Sequence, residues 1–232
     1  MIEIVLPYSR FLLSGALITV SVALSSLAVS LAIGLLGAWG SLSGSSFVRR
    51  VVSFYTLVVR AIPDLVLMLL IYYGGQAFIN QIGDRTGLWD YREISTFGAS
   101  VATIAFIFGA YMTETFRGAA LCIPRGEIEA GIALGLPRLK QFTRIVFPQL
   151  LRYALPGIGN NWQVLMKTTA LVSIIGLEDI VFNSFQAGRS SHHMFLFLAA
   201  TMVAYLFMTA ISGAIFFVLA KKYGLKTRAA NA

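Results

Sequence analysis

Between residues 11 and 39 the chain carries no Asp, Glu, Lys or Arg, and no other feature restricts its fold as tightly. As an α-helix this run is long enough to cross a ~30 Å hydrocarbon core with tilt. The rest of the chain agrees. It is 57% hydrophobic and 12% charged, with a mean hydropathy of +0.78, whereas a soluble domain carries roughly 25% charged residues. An all-α integral membrane protein is therefore expected, as one transmembrane domain over residues 1–232. The first ten residues hold Glu3, Pro7 and Arg10 without a basic start, and no small-residue cleavage site follows a short apolar core. The first apolar segment is expected to be retained rather than cleaved as a signal peptide.

Within that first span Ser26, Ser30, Gly34 and Ala38 recur at intervals of four. Such a stripe lets a second helix approach closely, the usual packing device in a bilayer; the plain alternative is a helix that is merely rich in small residues. A second span is expected over 54–79, interrupted by Arg60-Ala-Ile-Pro63-Asp64. Pro63 lacks an amide hydrogen, so a kink or break is expected there. Arg60 and Asp64, four apart, could pair on one face, or could face a polar cavity as ionisable groups at membrane depth usually do.

A third span is expected over 97–121, with Glu114 and Arg117 inside it, and a clean fifth over 194–220. Between them lies a fourth, irregular apolar region over 153–180, which opens with Pro156, Gly157, Gly159, Asn160 and Asn161 and contains Lys167.

The connecting segments alternate in charge. The net charge is plus two after the first span (Arg49, Arg50), minus one after the second, plus four from Arg117 to Arg152, minus one over the connection holding Glu178, Asp179 and Arg189, and plus four in the tail (Lys221, Lys222, Lys226, Arg228). The positive-inside rule then places the N-terminus outside and the C-terminus in the cytoplasm. This clustering also explains the formal net charge of +8 without nucleic acid. A single cysteine, Cys122, excludes an internal disulfide and a multi-thiolate metal site; small-residue packing at a helix end is its expected role. His192 and His193 read as solvated loop residues, and no metal site is expected. No paired acids, His cluster or Ser/His arrangement stands at a reactive spacing, so no catalytic residue is assigned.

Residues 127–148 form the one long polar interruption. They read as two short helices, one ending near Leu134 and one running from Pro137 to Phe147, around a left-handed Gly135, with Pro148 stopping the second. Leu139, Phe142, Ile145 and Val146 share a face of that second helix, and Arg138, Lys140 and Arg144 lie elsewhere. An amphipathic hairpin on the cytoplasmic side suits docking into a partner's cleft; lying on the anionic lipid surface is the alternative.

Glu129-Ala130-Gly131, three residues, Gly135, nine residues, then Ile145-Val-Phe-Pro148 resembles the cytoplasmic EAA loop of bacterial ABC importer permeases, here within residues 124–150. Gly131 stands where that pattern has Ala, and Phe147 where it has Leu. Segments 60–74, 110–118, 155–162 and 167–178 extend the resemblance to the polar amino acid permease family, and within it to subunits serving histidine, arginine, lysine and ornithine.

The resemblance implies a type I importer fold with five core helices in the bacterial inner membrane and two permease chains, this one and a paralogue or an identical copy. A periplasmic binding protein would deliver the amino acid. Glu129, Ala130, Gly131, Gly135, Leu139, Phe142, Ile145 and Pro148 would seat on a cytoplasmic ATPase subunit. The chain has no Gly-x-x-x-x-Gly-Lys-Ser/Thr loop of its own, so ATP and Mg would be bound by that subunit. In such importers ATP closes the ATPase dimer and the docked loops carry the motion to the helices.

A membrane cavity for a cationic amino acid should offer acids and a base. Glu114 is the first candidate acid, with Thr113 beside it but about 100° around the helix. Asp64 is a second, with Arg60 near enough to help a carboxylate, while Lys167 and Glu178 bracket the fourth region. Glu114 with Arg117 as an interhelix structural ion pair, and Lys167 as an anchor to a neighbour's carbonyls, are the competing readings. Specificity can also reside in the binding protein. A stand-alone transporter driven by an ion gradient is the alternative function, but it leaves the hairpin unexplained and usually shows internal repeats, which this sequence lacks.

Overall fold

The computed structural model describes residues 2–223, and every described element is helical. The basic tail residues Lys226 and Arg228 used above lie outside the described residues. After a short turn (α1, Ile2–Val5) the chain forms α2 (Ser9–Ser43), α3 (Ser46–Ala61), α4 (Asp64–Thr86) and α5 (Thr96–Leu121). The hairpin follows as α6 (Arg125–Ala133) and α7 (Arg138–Gln141). A π-helical turn (Phe142–Val146) leads into α8 (Phe147–Thr168), a 3-10 segment (Thr169–Ile175), α9 (Ile180–Ser191) and α10 (Met194–Tyr223). Among the described residues, four helical stretches are long and apolar enough to cross a membrane: Glu3–Ser43, Asp64–Thr86, Thr96–Leu121 and Met194–Tyr223.

The seam between α2 and α5 organises the bundle. The buried positions of α2 are Gly15, Thr19, Val22, Ala23, Ser26, Ser30, Gly34 and Ala38, so the small-residue stripe is the packed face. A Cβ on Gly34 would collide with the Cβ of Met112, and one on Gly109 of α5 would lie 2.6 Å from Ile33 Cγ2. Leu13, Leu17, Leu24 and Leu36 point outward on the other faces of α2. Lipid tails are as apolar as leucine, so helix association here comes from close van der Waals contact rather than from withdrawing leucines from water. Met68, Ile104, Ile107, Phe108, Leu165 and Val172 continue the core toward α4 and α8.

The expected break in the second span is present, but the boundaries move. Instead of one interrupted span over 54–79, α3 ends at Ala61 and α4 begins at Asp64. Ile62 is extended (φ −96°, ψ 138°), as the ring of a following proline demands.

The expected stop at Pro148 is absent, and the chain stays helical from Arg138 to Thr168. The π-helical turn is the reason: the Phe147 amide reaches back five residues to the Phe142 carbonyl, and the widened turn makes room for a ring that a regular α-helix would reject. Pro156 likewise sits inside α8; the irregularity expected at the start of the fourth region falls at its end, in the 3-10 segment and in Gly176 (φ 87°).

Cys122 also departs from expectation, because it is exposed at the end of α5. The α9 helix is pinned to α2 by polar contacts. Asp179 caps it by accepting from the Phe182 amide (2.8 Å). The Ile180 amide donates to Thr19 Oγ1 (3.2 Å) and Asn183 Nδ2 donates to the Phe11 carbonyl (2.7 Å).

Candidate functional site

Two features stand out, an exposed hairpin and a polar cavity beside α5. The hairpin turns at Gly135, whose φ of +68° is the left-handed conformation that L side chains rarely adopt. The Leu136 amide donates to the Gly131 carbonyl (3.1 Å) and the Gly135 amide to the Ile132 carbonyl (2.9 Å), which satisfies the last carbonyls of α6.

Two further contacts set the angle of the arms. Gln141 Nε2 donates to the Ile128 carbonyl (2.7 Å), and Gly131 is buried against Ile145, where an added Cβ would lie 2.6 Å from Ile145 Cδ1. Gln149 Nε2 reaches both the Glu127 carboxylate (2.5 Å) and the Ile145 carbonyl (3.1 Å).

The face expected to hold Leu139, Phe142, Ile145 and Val146 together is split. Ile145 and Val146 turn inward, whereas Leu139 is 73% exposed and Phe142 is 44% exposed. The π-helical turn rotates the side chains past it out of α-helical phase, which periodicity could not anticipate. The outward apolar surface is instead Ile132, Leu134 at 79% exposed, Leu139 and Phe142. Glu129 and Ala130 are exposed beside it. Pro148 lies at the base, where α8 begins.

The cavity, of about 830 Å³, lies between α3, α5 and the end of α2, and is lined by Ser53, Thr56, Arg60, Tyr111, Glu114 and Arg117 among others. Glu114 Oε2 accepts from Arg117 Nη2 (2.6 Å) and Nε (3.0 Å). The pair lies within one helix, not between two as the structural reading had it. Arg60 does not pair with Asp64, because the break at Pro63 removes the helical spacing that would align them; its guanidinium stacks over Tyr111, 5.4 Å from the ring centroid.

Arg60 and Glu114 therefore share one cavity, and the other four candidates stand outside it. Thr113 is fully buried on the α2 side of α5, donating to the Gly109 carbonyl (2.8 Å). Asp64 is half-buried with Thr168 as a side-chain hydrogen-bond partner. Lys167 and Glu178 are exposed.

Sequence reasoning missed Tyr111, Ser53 and Thr56. Their spacing was a usable signal: Ser53, Thr56 and Arg60 fall on one face of α3, and Tyr111 and Glu114 on one face of α5. It also missed Asp179, fully buried as the cap of α9, with Oδ2 unpartnered among the described residues. The histidines are exposed, with His192 left-handed (φ 59°) at the end of α9.

Comparison with known proteins places this geometry. Residues 30–225 match the family described as binding-protein-dependent transport system inner membrane component. The histidine/lysine/arginine/ornithine transport system permease protein HisQ of Escherichia coli (strain K12) is 44% identical over 224 residues, covering 97% of this chain and 98% of its own. The octopine transport system permease protein OccQ of Rhizobium radiobacter is 39% identical, covering 88% and 86%. Among solved structures, an amino acid ABC transporter crystallised with histidines superposes with a TM-score of 0.79 at 25% identity, covering 94% of this chain and 96% of that one.

Proposed function

The chain belongs to the family of binding-protein-dependent transport system inner membrane components, and from that premise we propose that it serves an importer of basic amino acids. It is a permease subunit of an amino acid ABC importer with the type I permease fold, and ATP hydrolysis belongs to a separate subunit. The names of its relatives, which carry histidine, lysine, arginine and ornithine, or octopine, support a cationic amino acid as the cargo. They leave the stand-alone, ion-driven transporter without support.

The observation that carries the coupling role is the hairpin. Ile132, Leu134 and Leu139 are held out into solvent on a turn fixed by Gly135 and braced by Gln141 and Gly131. Three apolar side chains on a rigid, charged hairpin suit the cleft of a protein partner, and we assign that partner as a cytoplasmic ATPase subunit that binds ATP and Mg. The orientation follows from the charge pattern: N-terminus outside, hairpin and C-terminus in the cytoplasm of a bacterium. In this reading α8 with its 3-10 extension is the fifth crossing. A second permease chain, a paralogue, completes the path, and a periplasmic binding protein delivers the amino acid.

The cavity supports a specific binding role. A carboxylate at Glu114 and guanidinium groups at Arg60 and Arg117 offer partners to the ammonium and the carboxylate of an amino acid. Tyr111 supplies a face for a cationic group. Substrate would compete with Arg117 for Glu114, so binding and release would exchange one ion pair for another. Asp64, Thr113, Lys167 and Glu178 act in this account through packing or at the membrane surface.

Reconstitution of the chain with a second permease, an ATPase and a binding protein in proteoliposomes tests the reading. Uptake of labelled arginine should require ATP and all four components. Uptake by this chain alone on an ion gradient would overturn it.

A further inference from the structure

The first turn of α9 is clamped between α2 and α10, and the clamp encloses a carboxyl group. Asp179 and Asn183 are buried, at 0% and 1% exposed, and lie one helical turn apart on the same side. A Cβ on Gly15 of α2 would lie 2.7 Å from the Asp179 carbonyl oxygen and 2.8 Å from Asn183 Nδ2, so α2 presses directly on this turn. Thr19 of α2 accepts from the Ile180 amide (3.2 Å). From α10 come Thr201, which donates to Ser184, and Tyr205, whose hydroxyl lies 3.3 Å from that of Thr169 on the 3-10 segment. Tyr205 is the titratable group that faces Asp179, and among the described residues no cation pairs with this carboxyl.

Two oxygens in the clamp lack a donor. Asp179 Oδ1 accepts from the Phe182 amide (2.8 Å), while Asp179 Oδ2 and Asn183 Oδ1 have no partner among the described residues. Asn183 cannot resolve this by turning its amide over, because its nitrogen is held by the Phe11 carbonyl (2.7 Å). Two acceptors on one buried face call for a hydrogen, and a carboxylic acid carries one.

We propose that Asp179 is a neutral carboxylic acid in the packed protein, its hydroxyl directed at Asn183 Oδ1, and that this proton latches α9 to α2. The first-turn amides of α9 favour the carboxylate, but burying a charge without a counter-ion is the larger effect. Burial pushes the Asp179 carboxyl from 3.8 up to about 7, against the pull of the Phe182 and Val181 amides. The folded protein thus holds a proton that the unfolded chain has released. This contribution to stability is complete below the ordinary carboxyl range and is lost as pH rises through about 7. The inference does not depend on which amino acid is carried.

The test is infrared spectroscopy of the purified full chain in an ester-free detergent, paired with denaturant unfolding, from about pH 5 to about pH 9. At about pH 6, where exposed acids are ionised, the wild type should show the C=O stretch of a protonated carboxyl, fading at higher pH. Asp179→Asn should remove it. Asp179 is the one acid buried among the described residues, so the wild-type band is diagnostic even where the variant fails to fold. The asparagine amide reproduces the donor of the neutral acid. The wild-type unfolding constant should therefore rise against that of Asp179→Asn by about tenfold per pH unit between roughly pH 5 and pH 7. Asp179→Ala, with neither donor nor cap, should be less stable than Asp179→Asn throughout.

Absence of the band at that pH, a pH-independent ratio of unfolding constants, or an asparagine variant no more stable than the alanine one would overturn the proposal. A wild-type stability that changes when sodium is replaced by potassium or choline would assign the two oxygens to a metal ion and overturn it as well.

Discussion

The α2–α5 seam and the 125–146 hairpin both depend on glycine and both bear apolar side chains, yet they use them in opposite ways. In the seam, Gly34 and Gly109 remove side chains so that two backbones can meet, and the apolar contact is complete within the chain. In the hairpin, Gly135 supplies a positive φ that holds Leu134 and Leu139 away from the chain, with no internal contact to cover them. The first is a finished interface, and under the proposed function the second is completed by the ATPase. Substitutions in the seam should therefore damage the fold, and substitutions in the hairpin should damage assembly while the fold survives.

The sharpest way to break that distinction is Gly34→Leu. Four extra carbons against Met112 force the helices apart. A loss of roughly 3 kcal/mol is expected for overpacking of this kind, read as a fall in the unfolding midpoint of the purified chain. An unchanged midpoint would mean that the seam is looser than its geometry implies. Leu139→Asp comes next. It should leave that midpoint unaltered while reducing ATPase affinity by tenfold or more, the effect of losing an anchor of about 2 kcal/mol.

Glu114→Gln probes the cavity, which belongs to neither region. The apparent KM for arginine uptake should rise about tenfold, in line with the loss of a charge-assisted contact, with the subunits still copurifying. Equal loss of assembly would make the Glu114–Arg117 pair structural. Gly131→Ala should have the smallest effect, below about 1 kcal/mol. Its new Cβ crowds the end of the Ile145 side chain, which can rotate away, and meets Gln141 only at ordinary van der Waals distance (3.4 Å); a large loss would show that Ile145 is held rigidly.

What could be read from the sequence follows the range of the physics involved. The first, third and fifth expected spans, the small-residue stripe and the turn at Gly135 rest on local rules of run length, spacing and backbone conformation, and these are present in the fold. Features set by packing between distant segments were not legible. Arg60 finds Tyr111 only because α3 leans on α5, and Thr113 leaves the cavity only because α2 occupies its side of α5. The continuity through Pro148 escaped a local rule for another reason. A proline normally stops a helix, but here a π-helical turn five residues long absorbs it, and in doing so it divides the apolar face of the hairpin between core and solvent.

The central claim, that the hairpin is an interface awaiting the ATPase, can be tested by thiol accessibility. In a Cys122→Ser background, Leu134→Cys, Leu139→Cys and Ala38→Cys variants would be labelled with a water-soluble maleimide, with and without the ATPase bound. The account predicts fast labelling at 134 and 139 in the permease alone, slowed at least tenfold by the ATPase, and no labelling at 38 in either state. Unchanged labelling at 134 and 139 in a complex that still drives ATP-dependent uptake would contradict it.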